Sequence, residues 1–221
     1  ELGEAIGNSY QLIVGLEAGD EIVTYGNFTI DAAAQLNNQS SMINGNVTLK
    51  EKGKDLVLPD FKASTPEEFK QKLSITTSHY LILKDALVKT DDKKASQAAK
   101  QVMESIADID MNLLKGGAHE LWMEQHEALL AHSKKIWELN DVEDQRFQFN
   151  FLSQALIKSI KVFGVSIDSL FVEHCPMAFN NNGADWLSGE TTIRNPYFGD
   201  KMLKCGVVKD TLTAAHESSK E

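Results

Sequence analysis

The chain has 221 residues, 42% of them hydrophobic and 24% charged, and a formal net charge of −10. That is long enough for one good core and a smaller unit, and too acidic for a nucleic-acid partner, which needs clustered Lys and Arg. No stretch reaches the ~20 apolar residues of a membrane span. A chain that opens at Glu1, with neither Met nor a signal peptide, is expected to be a piece or a processed product of something longer.

Residues 1–43 read as the tail of a β-rich domain. Tyr10 to Val14 and Glu21 to Tyr25 are β-prone runs joined by turn chemistry from Gly15 to Asp20. Ile30, Ala33, Ala34 and Leu36 then share one side of a short helix. Residues 44–64, with Asn44-Gly45, Gly53 and Pro59, have linker composition.

Residues 65–215 are expected to form a helical domain. Thr65-Pro66-Glu67-Glu68 predicts a helix start, with Thr65 as cap, Pro66 in the first position and Glu68 closing a capping box. Phe69, Leu73, Tyr80, Leu83 and Leu87 keep one face apolar to about residue 89. Asp91-Asp92 caps a second helix with a stripe of Ala95, Ala98, Ala99, Val102, Ile106, Ile109 and Leu113, stopped by Gly116-Gly117. A third helix holds Leu121, Trp122, Leu129, Ile136 and Trp137. Asn140 or Asp141 starts a fourth, with Glu143 and Asp144 at its positive end and Phe149, Leu152, Leu156, Ile160 and Phe163 inward; Gly164 ends it. Four amphipathic helices with short links predict a mainly α fold, an antiparallel four-helix bundle. Beyond Val165 the periodicity fades. Ser169 to Glu173 reads as a short strand, Asn180 to Gly183 as a turn, and Asp185 to Cys205 as an irregular segment packed on the helices.

The only two cysteines sit in Cys175-Pro176-Met177 and Met202-Leu203-Lys204-Cys205-Gly206. Thiolates and thioethers are soft donors that select Cu(I)-type ions, so Cys175, Met177, Met202 and Cys205 are candidate metal ligands. A disulfide across the 29 intervening residues, worth about 3–4 kcal/mol by loop entropy, reads the same spacing equally well. His174 abuts Cys175, but a strand points the two to opposite faces, so joint ligation needs a bend. His119, Met123 and His126, spaced i, i+4, i+7, line up on the third helix either as a further soft-metal set or as flanks of the Trp122 core face. His132 and His216 read as surface residues. There is no GxSxG, Walker, HExxH or CxxC motif, so no enzyme is expected. Arg146, among acidic neighbours, reads as an ion-pair residue.

Gly15 to Val23, followed by Gly26-Asn27-Phe28-Thr29-Ile30-Asp31, resembles the end of the membrane-proximal β-domain of periplasmic adaptor (membrane fusion) proteins of heavy-metal efflux systems. The stretch from about 75 to 210 resembles the DUF3347 domain, through Tyr80, Lys84-Asp85-Ala86-Leu87, Arg146, Phe149, Ser153 and Cys175-Pro176-Met177-Ala178. Trp186-Leu187-Ser188, Asn195-Pro196-Tyr197-Phe198-Gly199 and Met202 to Gly206 continue that likeness. The resemblance implies a periplasmic location and tethering to the inner membrane through an anchor upstream of Glu1. It also implies assembly with other adaptor protomers around a resistance-nodulation-division pump. The expected function is a Cu(I)- or Ag(I)-binding domain of such an adaptor, with metal as cargo and no obligatory cofactor. The alternative is a disulfide-stapled interaction module with no metal role.

Overall fold

The computed structural model describes residues 2–6, 9–12 and 58–213, in two compact units, Glu1–Leu56 and Val57–Glu221. In the first unit, strands β1 (Leu2–Ile6) and β2 (Ser9–Leu12) pair antiparallel, with Ala5 opposite Tyr10 and Ile6 opposite Ser9. The expected strand over Tyr10 to Val14 therefore falls at β2. Its partner β1 escapes a sequence reading because Gly3 and Glu4 interrupt the apolar alternation. Glu21 to Tyr25, the short helix near Ile30 and most of the predicted linker lie outside the described residues.

The second unit is mainly helical, with four long helices and a small antiparallel sheet. Helix α1 runs Glu67–Val88, α2 Asp92–Ala107, α3 Gly117–Glu138 and α4 Val142–Phe163. The stripes read from sequence are buried: Phe69, Leu73, Tyr80, Val102, Trp122, Leu129, Phe149, Leu156 and Phe163 are all sealed from solvent. Trp122 takes the edges of Phe69 and Phe163, at 4.9 and 5.9 Å between ring centroids, which ties three helices together. Trp137, on the same helix as Trp122, is partly exposed and carries the Lys100 ammonium 5.5 Å from its ring centre.

Local signals set most helix ends. The Asp91 carboxylate accepts from Lys94 N–H, and Asp141 accepts from the N–H groups of Glu143 and Asp144. Gly164 ends α4 at a φ of 76°. Two ends differ from expectation. The capping box at Thr65 does not form, because both the hydroxyl and the N–H of this buried residue donate to Phe61 O in a preceding turn, each at 2.8 Å. Helix α2 stops at Ala107, well before Leu113, because the Asp110 carboxylate accepts from Asn112 N–H and opens a short 3₁₀ turn, Met111–Leu113. Ile109 is still buried there, so the apolar period outlasts the helix.

The C-terminal segment departs furthest from expectation. In place of one short strand and an irregular run, β3 (Ser169–Cys175), β4 (Ala184–Ser188) and β5 (Val207–Thr213) form an antiparallel sheet in the order β4-β3-β5. The strand β4 was illegible because Ala184-Asp185-Trp186-Leu187-Ser188 is buried along nearly its whole length, leaving no polar/apolar alternation. Tyr80 fastens this sheet to the helices. Its oxygen accepts the Leu187 N–H at 3.1 Å and shares a 2.6 Å hydrogen bond with Ser153 Oγ on α4. Desolvation raises the Tyr80 phenol, so it stays neutral. Tyr80→Phe strands a buried N–H and is expected to lose about 1–3 kcal/mol, read from the urea midpoint at neutral pH.

Candidate functional site

The two cysteines meet. Cys175 ends β3, and the β3–β5 register sets Val207 opposite His174, so the chain just before β5 runs past the end of β3. Cys205 is two residues before Val207, and its Sγ lies 2.9 Å from Cys175 Sγ, with both thiols free. Gly206 makes this approach possible: at its φ of 146° a Cβ would stand 2.9 Å from the Trp186 ring and 3.0 Å from His174 O. Asn195, wholly buried, holds the approaching segment. Its amide donates to Cys205 O at 2.7 Å, its carbonyl oxygen accepts from Tyr197 N–H, and its own N–H donates to Leu203 O.

Cys175 is 0% exposed and Cys205 only partly covered. The hydrogen bond with Cys175, more than burial, raises the Cys205 thiol, while the backbone amide of Met177 pulls the other way. That amide places Met177 at the sulfur pair, with its own side chain 48% exposed. Met202 shares the Cys205 turn, accepting the Cys205 N–H at 3.0 Å. Four sulfur-bearing residues are thus gathered at one end of the sheet.

The histidines go elsewhere. His174 Nδ1 lies 2.6 Å from Asp185 Oδ1, its cross-strand partner, and Asp185 Oδ2 takes Lys209 Nζ at 2.9 Å. Strand alternation turns the imidazole away from Cys175, and no bend joins them. His119 Nδ1 is 2.9 Å from Met111 O, and the half-buried His126 packs edge-on to Trp122. His119 braces the connection after α2, and Met123 between the two histidines is 48% exposed. His132, read as a surface residue, is half-buried, stacked on Phe151 and bonded to Gln148; His216 lies outside the described residues. Among the described residues no three His, Cys, Asp or Glu side chains converge to hold a metal ion.

Between Pro176 and β4 the backbone is left-handed at three successive residues, Phe179, Asn180 and Asn181, with φ of 51°, 58° and 66°. Asn tolerates this region, but a Phe there costs about 1–2 kcal/mol. Gly183, at a φ of 78°, completes the turn, since a Cβ would meet His174 Cε1 at 2.7 Å.

Among known protein families, residues 76–168 match the model described as Protein of unknown function (DUF3347). The chain carries a DUF3347 domain. No curated protein and no solved structure matches the chain. The DUF3347 match covers most of α1 through α4 and ends at Asp168, one residue before β3, so the sulfur-bearing motifs lie beyond it.

Of two buried charged residues, sequence reasoning read Arg146 only in part and missed Glu173. Arg146 is more than an ion-pair residue: besides Glu143 it bonds three groups on two other segments. Glu173 is 0% exposed, directly opposite Trp186, and neither carboxylate oxygen has a hydrogen-bond partner among the described residues. Burial pushes its carboxyl up to about 7, against the pull of Lys84, with the Trp186 indole and Ser188 hydroxyl near but poorly aligned. The signal for Arg146 was its rarity on an apolar helix. Glu173 gave none, because an acidic residue in a short strand is ordinarily solvent-facing.

Proposed function

We propose that this chain is the C-terminal part of a periplasmic adaptor protein of a heavy-metal efflux system. In this reading its helical domain, an antiparallel four-helix bundle, carries a sheet that binds Cu(I) or Ag(I) as cargo for export. Cys175 and Cys205 are the thiolate ligands, with Met177 and Met202 as thioether neighbours. The partners are a resistance-nodulation-division pump of the inner membrane and other adaptor protomers. The observation that carries the reading is the meeting of two sequence-distant thiols at 2.9 Å, with the backbones of Met177 and Met202 at the same turn; thiolates and thioethers suit soft monovalent ions and no hard cation.

Cu(I) competition titration of the full chain, kept reduced and anaerobic, tests it. The expected result is one ion per chain with Kd below about 1 μM, equivalent to some 8 kcal/mol, and no binding in the double variant Cys175→Ser/Cys205→Ser. Binding weaker than that, or unchanged in the double variant, rejects it.

A second reading, a disulfide staple in an interaction module, has an observation of its own. Two thiolates sharing a tetrahedral ion through bonds of about 2.3 Å stand about 3.7 Å apart, wider than the 2.9 Å seen here. A pair found fully oxidised by mass spectrometry of untreated protein, whatever the copper supply, favours the staple.

A further inference from the structure

We infer that Cys175 and Cys205 form a dithiol–disulfide switch with fixed roles, in which Cys205 exchanges with an external low-molecular-weight disulfide and Cys175 resolves the product. This holds whether or not a cation binds; its consequence, that oxidation closes the soft-ion site, rests on the metal reading above.

The argument starts from access. An incoming disulfide reaches a sulfur that solvent reaches, and Cys175 is wholly buried at the end of β3, opposite Ala184 of β4, whereas Cys205 is partly open. Only Cys205 presents a sulfur to a collinear attack. Distance decides the second step. The Cys175 sulfur is already 2.9 Å from that of Cys205, so closing to a bond of about 2.05 Å needs under 1 Å of movement. Any mixed disulfide on Cys205 has its resolving thiol waiting beside it. Asn195, through Cys205 O, and the Met202 carbonyl, through Cys205 N–H, anchor the backbone on both sides of the exchanging sulfur.

The chemistry balances. Cys205, as thiolate, attacks one sulfur of R–S–S–R, forming a Cys205–S–S–R bond and expelling RS⁻. Cys175, as thiolate, then attacks Cys205 Sγ, forming the Cys175–Cys205 bond and expelling the second RS⁻. The two thiol protons end on the two released thiolates. The protein dithiol loses two electrons, and R–S–S–R is reduced to 2 RSH.

The test uses the full chain, reduced and held with a chelator so that no metal contributes, exposed to glutathione disulfide and quenched with acid. Mapping by mass spectrometry is expected to find the Cys175–Cys205 disulfide in the native sequence with no lasting glutathione adduct. Cys175→Ser, or Cys175→Ala should the serine variant not fold, is expected to keep an adduct on Cys205, while Cys205→Ser leaves Cys175 unmodified. A measurement without any variant accompanies these: under limiting iodoacetamide, Cys205 alkylates roughly tenfold faster than Cys175. An adduct accumulating on native protein, no oxidation by glutathione disulfide, or Cys175 alkylating first overturns the assignment. Loss of Cu(I) binding with this pattern intact would reject the metal reading alone.

Discussion

Arg146→Ala is expected to lower the unfolding free energy by about 1–3 kcal/mol, the cost of leaving a buried acceptor without its donor. The side chain is 2% exposed on α4, and four of its five N–H donors are committed. Its Nε donates to Pro196 O at 2.8 Å, one terminal nitrogen to Leu87 O at 2.9 Å and Thr90 Oγ1 at 3.0 Å, and the other to Glu143 Oε1 at 2.9 Å. Glu143 is exposed and recovers water, so the ion pair itself contributes little. The loss comes chiefly from the Pro196 carbonyl, which is left without its buried donor, whereas Leu87 O keeps the Thr90 N–H at 3.1 Å. Lysine, with one compact ammonium in place of a planar fork, restores only part of it. Because Pro196 lies in the segment that delivers Cys205, the variant should also loosen the thiol pair. Chemical unfolding gives the first effect, and slower disulfide closure under glutathione disulfide gives the second. A loss under 1 kcal/mol would refute the account of Arg146 as the clamp between α1, α4 and this segment. Gly199→Ala probes the same junction without touching charge. At a φ of 55° the added Cβ would stand 2.6 Å from Thr90 Oγ1 and 2.7 Å from an Arg146 terminal nitrogen.

The second large effect is on pH dependence and belongs to Glu173. Its carboxyl is held up to about 7 in the folded chain, mainly by burial, against an ordinary value of 4.5. Between those two values the folded chain therefore binds more protons than the unfolded one. Stability from this group is fully present below pH 4.5 and is lost as pH rises through about 7, for a total of about 3 kcal/mol. Glu173→Gln, which stays neutral, is expected to remove that slope and to be the more stable protein at pH 8. Urea midpoints measured from pH 5 to 8 decide the matter; a slope unchanged by the substitution would mean that the carboxylate finds a partner in solution. The buried Lys84, whose Nζ is 2.9 Å from Asp85 Oδ1, is the nearest compensating charge. Lys84→Met should steepen the slope.

How much of this was legible in advance follows the range of each interaction. Helix α4 was readable from end to end, since the Asp141 cap, the acidic first turn, the inward aromatic and aliphatic series and Gly164 all act within a few residues. Helix α2 was readable at its start and overrun at its end, where a side chain three residues past the last helical turn redirected the chain. Of the sheet only β3 was legible, read over Ser169 to Glu173. Strand β4 is buried along nearly its whole length and carries no alternation to detect. In β5, Lys209 is an extra residue against β3, which blurs the period further.

For the candidate site, the sequence alone determined the chemistry on offer: two cysteines, each with a nearby methionine, and none of the motifs of a hydrolase or nucleotide-binding enzyme. It also determined the helices, because capping and amphipathic period are written locally. Only the tertiary structure decided that the thiols are neighbours, that His174 faces Asp185 and that Glu173 is sealed from water. Those outcomes depend on which residues the antiparallel register sets opposite one another. Register is fixed by packing between segments dozens of residues apart, for which no local pattern exists.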